Sequence, residues 1–162
     1  MEKALAVANA FINFALAENI EVTNMKLQKL VFFAHGWYMG NTSKALIEES
    51  FKVWKWGPVI PSLYHRFRDY GSNNITSIGF SYSLEKVEHG YIFKKETPFL
   101  KNPTEIMPFL KDVWDVYKNY TAIQLSNITH YEGSPWYTTA QQGLETIDNK
   151  TICNYYKEKL KR

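Results

Sequence analysis

Thr23-Asn24-Met25-Lys26-Leu27-Gln28-Lys29-Leu30-Val31-Phe32-Phe33-Ala34-His35-Gly36-Trp37-Tyr38, followed after a polar loop by Phe51-Lys52-Val53-Trp54-Lys55-Trp56-Gly57-Pro58-Val59-Ile60-Pro61, decides the fold. Thr23 is placed to cap the amides that open a helix, and Leu27, Leu30, Val31, Ala34 and Tyr38 share one helical stripe that must be covered. Lys26, Gln28 and Lys29 fall off that stripe and are expected to face solvent or a partner. The Phe51 to Trp56 run reads as a short extended segment that stops at Gly57-Pro58, because Pro58 supplies no amide and Gly57 tolerates turn geometry. Trp54 and Trp56 share a face only if that strand continues undistorted, so a bend at the turn would free one ring. Pro61 suits the first turn of a helix carrying Leu63, Tyr64, Phe67 and Tyr70, with Gly71 in the usual position of a left-handed cap.

Outward from this stretch, the spacing predicts a first helix from about Glu2 to Glu18 with a wide apolar sector, packed antiparallel to the Thr23 helix. Phe80 to Val87 and Tyr91 to Lys95 flank Glu88-His89-Gly90 and read as a hairpin, with the Phe51 to Trp56 run a candidate third strand. Asn102-Pro103 reads as a turn, and Pro108 is expected in or just before the first turn of a helix bearing Phe109, Leu110, Val113, Trp114 and Tyr117. Thr121 reads as the cap of the next helix, Ser134 as the cap of a segment starting at Pro135, and Ile152 to Tyr156 as part of a final helix. The expectation is a mainly α fold: one compact helical domain over residues 1–162 with a small β-hairpin or sheet appended.

At 162 residues and 45% hydrophobic the chain can bury one substantial core, and the 16% aromatic content predicts a core built on large rings. No apolar run approaches the length of a membrane span, and no basic segment with an apolar run and a cleavage site opens the chain, which places it in the cytoplasm. The single cysteine, Cys153, agrees with a reducing compartment and reads as a packing residue. A net charge of +3 from scattered lysines gives little support to a nucleic-acid partner, since His65-Arg66-Phe67-Arg68 is too short for a basic stripe.

Catalysis finds weak support. His35, His65, His89 and His130 show no metal spacing, so no metal or cofactor is expected. The enzymatic alternative, a hydrolase or nucleotide-modifying enzyme, would bring His35 and His130 together with Asp69 or Glu132, or draw on His65, in one pocket. Helix-embedded histidines bonded to backbone account for the same residues more simply. Ser62 and Ser134 lie in no nucleophile elbow and serve as helix-start residues, and no glycine-rich phosphate loop occurs. A recognition surface is the better reading. Trp56, Gly57, Pro58 and Tyr64 form a rigid aromatic turn of the kind that anchors protein contacts, joined by Lys26, Lys29, Arg66 and Arg68 as candidate partner-binding residues. The loops Asn41 to Glu49 and Thr97 to Thr104 are further candidates.

Met25-Lys26-Leu27-Gln28-Lys29-Leu30, Trp54-Lys55-Trp56-Gly57-Pro58-Val59, Leu63-Tyr64-His65 to Tyr70-Gly71, and Leu125-Ser126-Asn127-Ile128-Thr129-His130 with Ser134-Pro135-Trp136 stand in an order that resembles the Panacea, or SocA-like antitoxin, domain. The resemblance spans nearly the whole chain. It implies a small bacterial or phage protein, without catalytic activity, that neutralises a cognate toxin by direct stoichiometric binding. In one branch it implies an adaptor that delivers the bound toxin to a protease. A phage-encoded inhibitor of a host defence protein is the alternative that keeps binding and changes its purpose.

Overall fold

The structure, a computed structural model, describes residues 1–161. It is mainly helical, with helices α1 (Ala4–Glu18), α2 (Asn24–Thr42), α3 (Pro61–Phe67), α4 (Pro103–Tyr117), α5 (Ala122–Thr129), α6 (Pro135–Gln141) and α7 (Asn149–Leu160). The strands are β1 (Phe51–Trp54), β2 (Gly57–Val59), β3 (Ser81–Val87), β4 (Gly90–Glu96) and β5 (Thr146–Ile147). No helix of the described residues is long and apolar enough to cross a membrane.

Helix α2 is the axis of the molecule. The Thr23 hydroxyl accepts from the Lys26 amide at 3.3 Å and fixes its start, as the sequence predicts. Helices α1, α3, α4, α5 and α7 and strand β2 all pack on it. A helix wrapped on so many sides has no solvent face, which corrects the expectation that Lys26, Gln28 and Lys29 are exposed: all three are buried. The run Leu30-Val31-Phe32-Phe33-Ala34 already carries apolar groups around more than half the circumference. Against it α7 comes very close at Gly36 and Gly40, where an added Cβ at Gly36 would collide with the Tyr156 ring. Phe51 of β1 meets Phe32 edge to face at 5.0 Å, tying the sheet to this axis.

The sheet is not one unit. Strands β2, β1 and β5 form one antiparallel sheet, in which Trp54 pairs with Gly57, Val53 with Pro58 and Phe51 with Ile147. Strands β3 and β4 form a separate hairpin, as the sequence predicts, with Val87 opposite Gly90, and the Phe51 segment does not join it. Pro58 therefore does not end the extended run. It sits in β2, an edge strand of three residues, where its missing amide costs no ladder bond.

Two further boundaries differ. Helix α4 starts at Pro103 and runs through Pro108, which lies exposed inside it, because Ile106, Leu110, Val113 and Trp114 bury one continuous face on either side of that proline. Gly71 has a positive φ of 57° but closes a 3₁₀ turn, Arg68–Tyr70, with its amide on the Arg68 carbonyl, and so is not a left-handed helical cap. The caps at Thr121 and Ser134 stand as expected, the former as a full capping box with Gln124.

Candidate protein-binding site

Between Trp54 and Gly57 the chain turns sharply, and the bend separates the two tryptophans. Trp54 packs half-buried against Tyr64, ring centroids 5.0 Å apart, while Trp56 projects with 61% of its surface exposed. The Lys55 ammonium lies over the Trp56 ring at 4.9 Å. Gly57 makes this turn possible in two ways. Its φ of 107° is open to glycine, and a Cβ there would meet Thr129 Oγ1 at 2.6 Å and Lys29 Cε at 2.7 Å.

The turn's backbone is held by side chains from distant parts of the chain. Trp136 Nε1 donates to the Trp54 carbonyl at 2.9 Å, and the Ser126 hydroxyl donates to the Trp56 carbonyl at 2.7 Å. Lys29 Nζ donates to the Pro58 carbonyl at 3.2 Å, and Gln28 Oε1 accepts from the Ile60 amide at 3.1 Å. His130 sits 3.1 Å from the Lys55 carbonyl through Nε2 and 2.6 Å from the Ser126 carbonyl through Nδ1. Thr129 and Ser134 complete the scaffold, the Thr129 hydroxyl donating to the Ser126 carbonyl and the Ser134 hydroxyl to the Thr129 carbonyl. Each short motif singled out around Lys29, Trp56, Ser126 and Trp136 thus meets the others at one turn.

Beside the turn lies a cleft of about 660 Å³, walled by Trp54, Trp56, Val59 and Tyr64 and floored by Asn24, Gln28 and Lys29 of α2. Burial pushes the Lys29 amine down to about 7, because the charged form has lost its water. The cleft collects Lys29, Trp56 and Tyr64 of the candidate residues, with Gly57 and Pro58 in the adjoining strand β2. Lys26 is elsewhere: its Nζ donates to the Lys118 carbonyl at 2.6 Å, closing the C-terminal end of α4, and its buried position leaves no partner-facing surface. Arg66 and Arg68 are exposed but do not line the cleft. Arg66 stands over the Tyr82 ring at the hairpin, and Arg68 pairs with its neighbour Asp69.

The histidines do not assemble. His35 is buried, its Nδ1 accepts from the Ile47 amide at 3.2 Å and its Nε2 faces Asn149 Oδ1 at 3.0 Å, which fits a neutral imidazole, and burial lowers its pKa against the opposing pull of the Asn149 bond. His130 belongs to the turn scaffold, and Asp69 is fully in solvent beside Arg68. Among the described residues no three His, Cys, Asp or Glu side chains gather to hold a metal.

Two features lay outside the sequence-derived set. The roles of Ser126, His130 and Trp136 as supports of the turn follow only from tertiary contact, although their motif was visible. The second is the β3–β4 arm, whose register puts Tyr82, Leu84, Tyr91 and Phe93 on one face, all exposed, with Phe93 at 79%. Alternating apolar residues on both strands were the available signal, but alternation alone does not say whether the apolar face is covered.

The model of the family described as "Antitoxin SocA-like, Panacea domain" matches residues 27–137. A curated relative, "Antitoxin SocA" of Caulobacter vibrioides (strain NA1000 / CB15N), is 29% identical over 133 residues, covering 82% of this chain and 68% of the relative. No solved structure matches the chain. The matched span takes in α2 from Leu27 on, the Trp-Gly-Pro segment, α5 and the start of α6, most of what builds and supports the cleft, and this chain belongs to the Antitoxin SocA-like, Panacea domain family.

Proposed function

We propose that this chain is an antitoxin that neutralises a cognate toxin by direct, stoichiometric association, without chemistry of its own, and that it does so in the cytoplasm as a single domain over residues 1–162. Its binding face is the Trp56 turn with the adjoining cleft. The observation that carries this is the contrast at one residue: a tryptophan left 61% exposed on a backbone held by hydrogen bonds from Lys29, Gln28, Ser126, His130 and Trp136. A pre-ordered aromatic anchor loses little freedom on docking, which is how hot-spot tryptophans gain affinity. Family membership supports the toxin as the partner class. Delivery of the bound toxin to a protease is a variant of the same association.

Capture of the tagged chain's partner from its native host, followed by co-expression, tests the reading. The expected partner is lethal alone and harmless with this chain. Trp56→Ala is expected to weaken the captured complex by about tenfold or more while leaving the melting temperature within about 3 °C. A large fall in melting temperature with affinity intact would overturn the assignment of Trp56. A host defence protein in place of a toxin would recast the chain as an inhibitor.

A further inference from the structure

The polar side chains on the cleft floor are all engaged, Lys29 only in part. Asn24 Nδ2 donates to the Tyr64 carbonyl at 2.9 Å, Asn24 Oδ1 accepts from Gln28 Nε2 at 3.1 Å, and Gln28 Oε1 accepts from the Ile60 amide. Lys29 differs. Its amine carries up to three donors, and its only acceptor among the described residues is the Pro58 carbonyl at 3.2 Å, although the residue is 1% exposed. Lys55 adds a second cation to the lining, and none of the lining residues is Asp or Glu. An apolar cleft lined by two lysine amines and no carboxylate is complementary to an apolar group that brings one negative charge. A carboxylate reaching Lys29 would occupy its free donors and favour the charged amine in a site of low dielectric. The volume, about 660 Å³, lies in the range of sites that engulf a ligand.

Resting on the reading of this face as the partner-binding face, we infer that the cleft takes an apolar segment of the toxin that carries one carboxylate. Its aliphatic or aromatic side chains pack among Trp54, Trp56 and Tyr64, and its acid meets the Lys29 amine. A flat contact at the Trp56 ring alone would leave both the cleft and the spare donors unused.

Two fluorescent probes of nearly the same shape test this on the full chain, 8-anilinonaphthalene-1-sulfonate and the uncharged N-phenyl-1-naphthylamine. Both are expected to bind, and Trp56→Ala to weaken both, which assigns them to the cleft and not to the exposed β3–β4 arm. Lys29→Met is expected to weaken the sulfonate about tenfold or more and the neutral probe less than about twofold. Bound sulfonate is then displaced with acetyl-Leu-Leu-Phe as the free acid or the C-terminal amide. The acid should compete about tenfold better on the wild-type chain and no better on Lys29→Met. Equal loss of both probes in Lys29→Met, equal competition by acid and amide, or displacement by acetate alone overturns the inference. Should Lys29→Met fail to fold, the acid–amide comparison on the wild-type chain decides it. None of these readouts uses the toxin, so their failure leaves the antitoxin reading standing, and a chain that neutralises nothing leaves the cleft's chemistry standing.

Discussion

The β1–β2 turn and the β3–β4 arm are both short antiparallel hairpins, and they are stabilised from opposite directions. The turn has only three paired positions, yet side chains from α2, α5 and α6 reach its carbonyls and amides, and Gly57 lets Lys29 and Thr129 pack against its backbone. The arm has seven paired positions and is stabilised chiefly by its own ladder, with Tyr82, Leu84, Tyr91 and Phe93 left in solvent. Ladder length therefore does not measure how firmly a hairpin is held. Tertiary hydrogen bonds and close packing do, and an isolated two-stranded ribbon is marginal in water. Rigidity is concentrated where a single exposed tryptophan is presented.

Gly57→Ala should test that concentration most severely. The methyl group would meet Lys29 and Thr129 and force an alanine to a φ of 107°, so a loss of about 2 to 4 kcal/mol is expected in urea unfolding. A loss below about 1 kcal/mol would mean that the turn yields easily and that the comparison fails.

Lys29 gives the turn a dependence on pH that the arm has no reason to share. Its pKa is about 7 folded against 10.5 for a free side chain, so between these values the unfolded chain holds a proton that the folded chain has released. Stability should rise with pH through this window, approaching about 1.4 kcal/mol per pH unit near pH 9, and level off below about pH 6, where both states are protonated. Lys26, also lowered by burial, adds in the same direction. The measurement is therefore the wild-type slope minus that of Lys29→Met between pH 7 and 9.5. Identical slopes would show that the Lys29 amine is hydrated.

That the chain reverses next to Gly57 was legible, because Gly, Pro and the flanking aromatics act locally, although the turn residues are Lys55 and Trp56 and Gly57-Pro58 open β2; the caps at Thr23, Thr121 and Ser134 were legible for the same reason. Burial was harder to read. One apolar stripe on α2 suggested one covered face, whereas neighbours on every side bury Lys26, Gln28 and Lys29 as well, a property of the assembly and not of the helix. The arm is the reverse case, since its alternation does not say whether the apolar face is covered, and the fold leaves it open. The motif around Ser126 and Trp136 could be seen, but its purpose depends on partners some 70 and 82 residues away in the chain.

Ser126→Ala should have a smaller effect than the changes at Gly57 or Lys29. It removes one donor from the buried side of the turn and leaves the Trp56 carbonyl without its partner, for a loss of about 1 kcal/mol. It should also speed amide exchange at residues 55–57 without altering exchange in the arm. Uniform changes across both hairpins would deny that the turn is held locally by α5.

Phe93→Ser should have the smallest effect on folding and is the sharpest test of the arm. Phe93 faces Leu84 across the ladder, and a cross-strand pair on an open face contributes only a few tenths of a kcal/mol. The ring is 79% exposed, so its removal surrenders little buried area, and unfolding in urea should shift by less than about 0.5 kcal/mol. Amides of β3 and β4 should exchange faster in the variant and those of β1 and β2 unchanged, because the arm opens without the body. A loss above about 1.5 kcal/mol would mean that the arm folds back onto the helices in solution. The difference between the hairpins would then be one of what each covers, and not of how each is held.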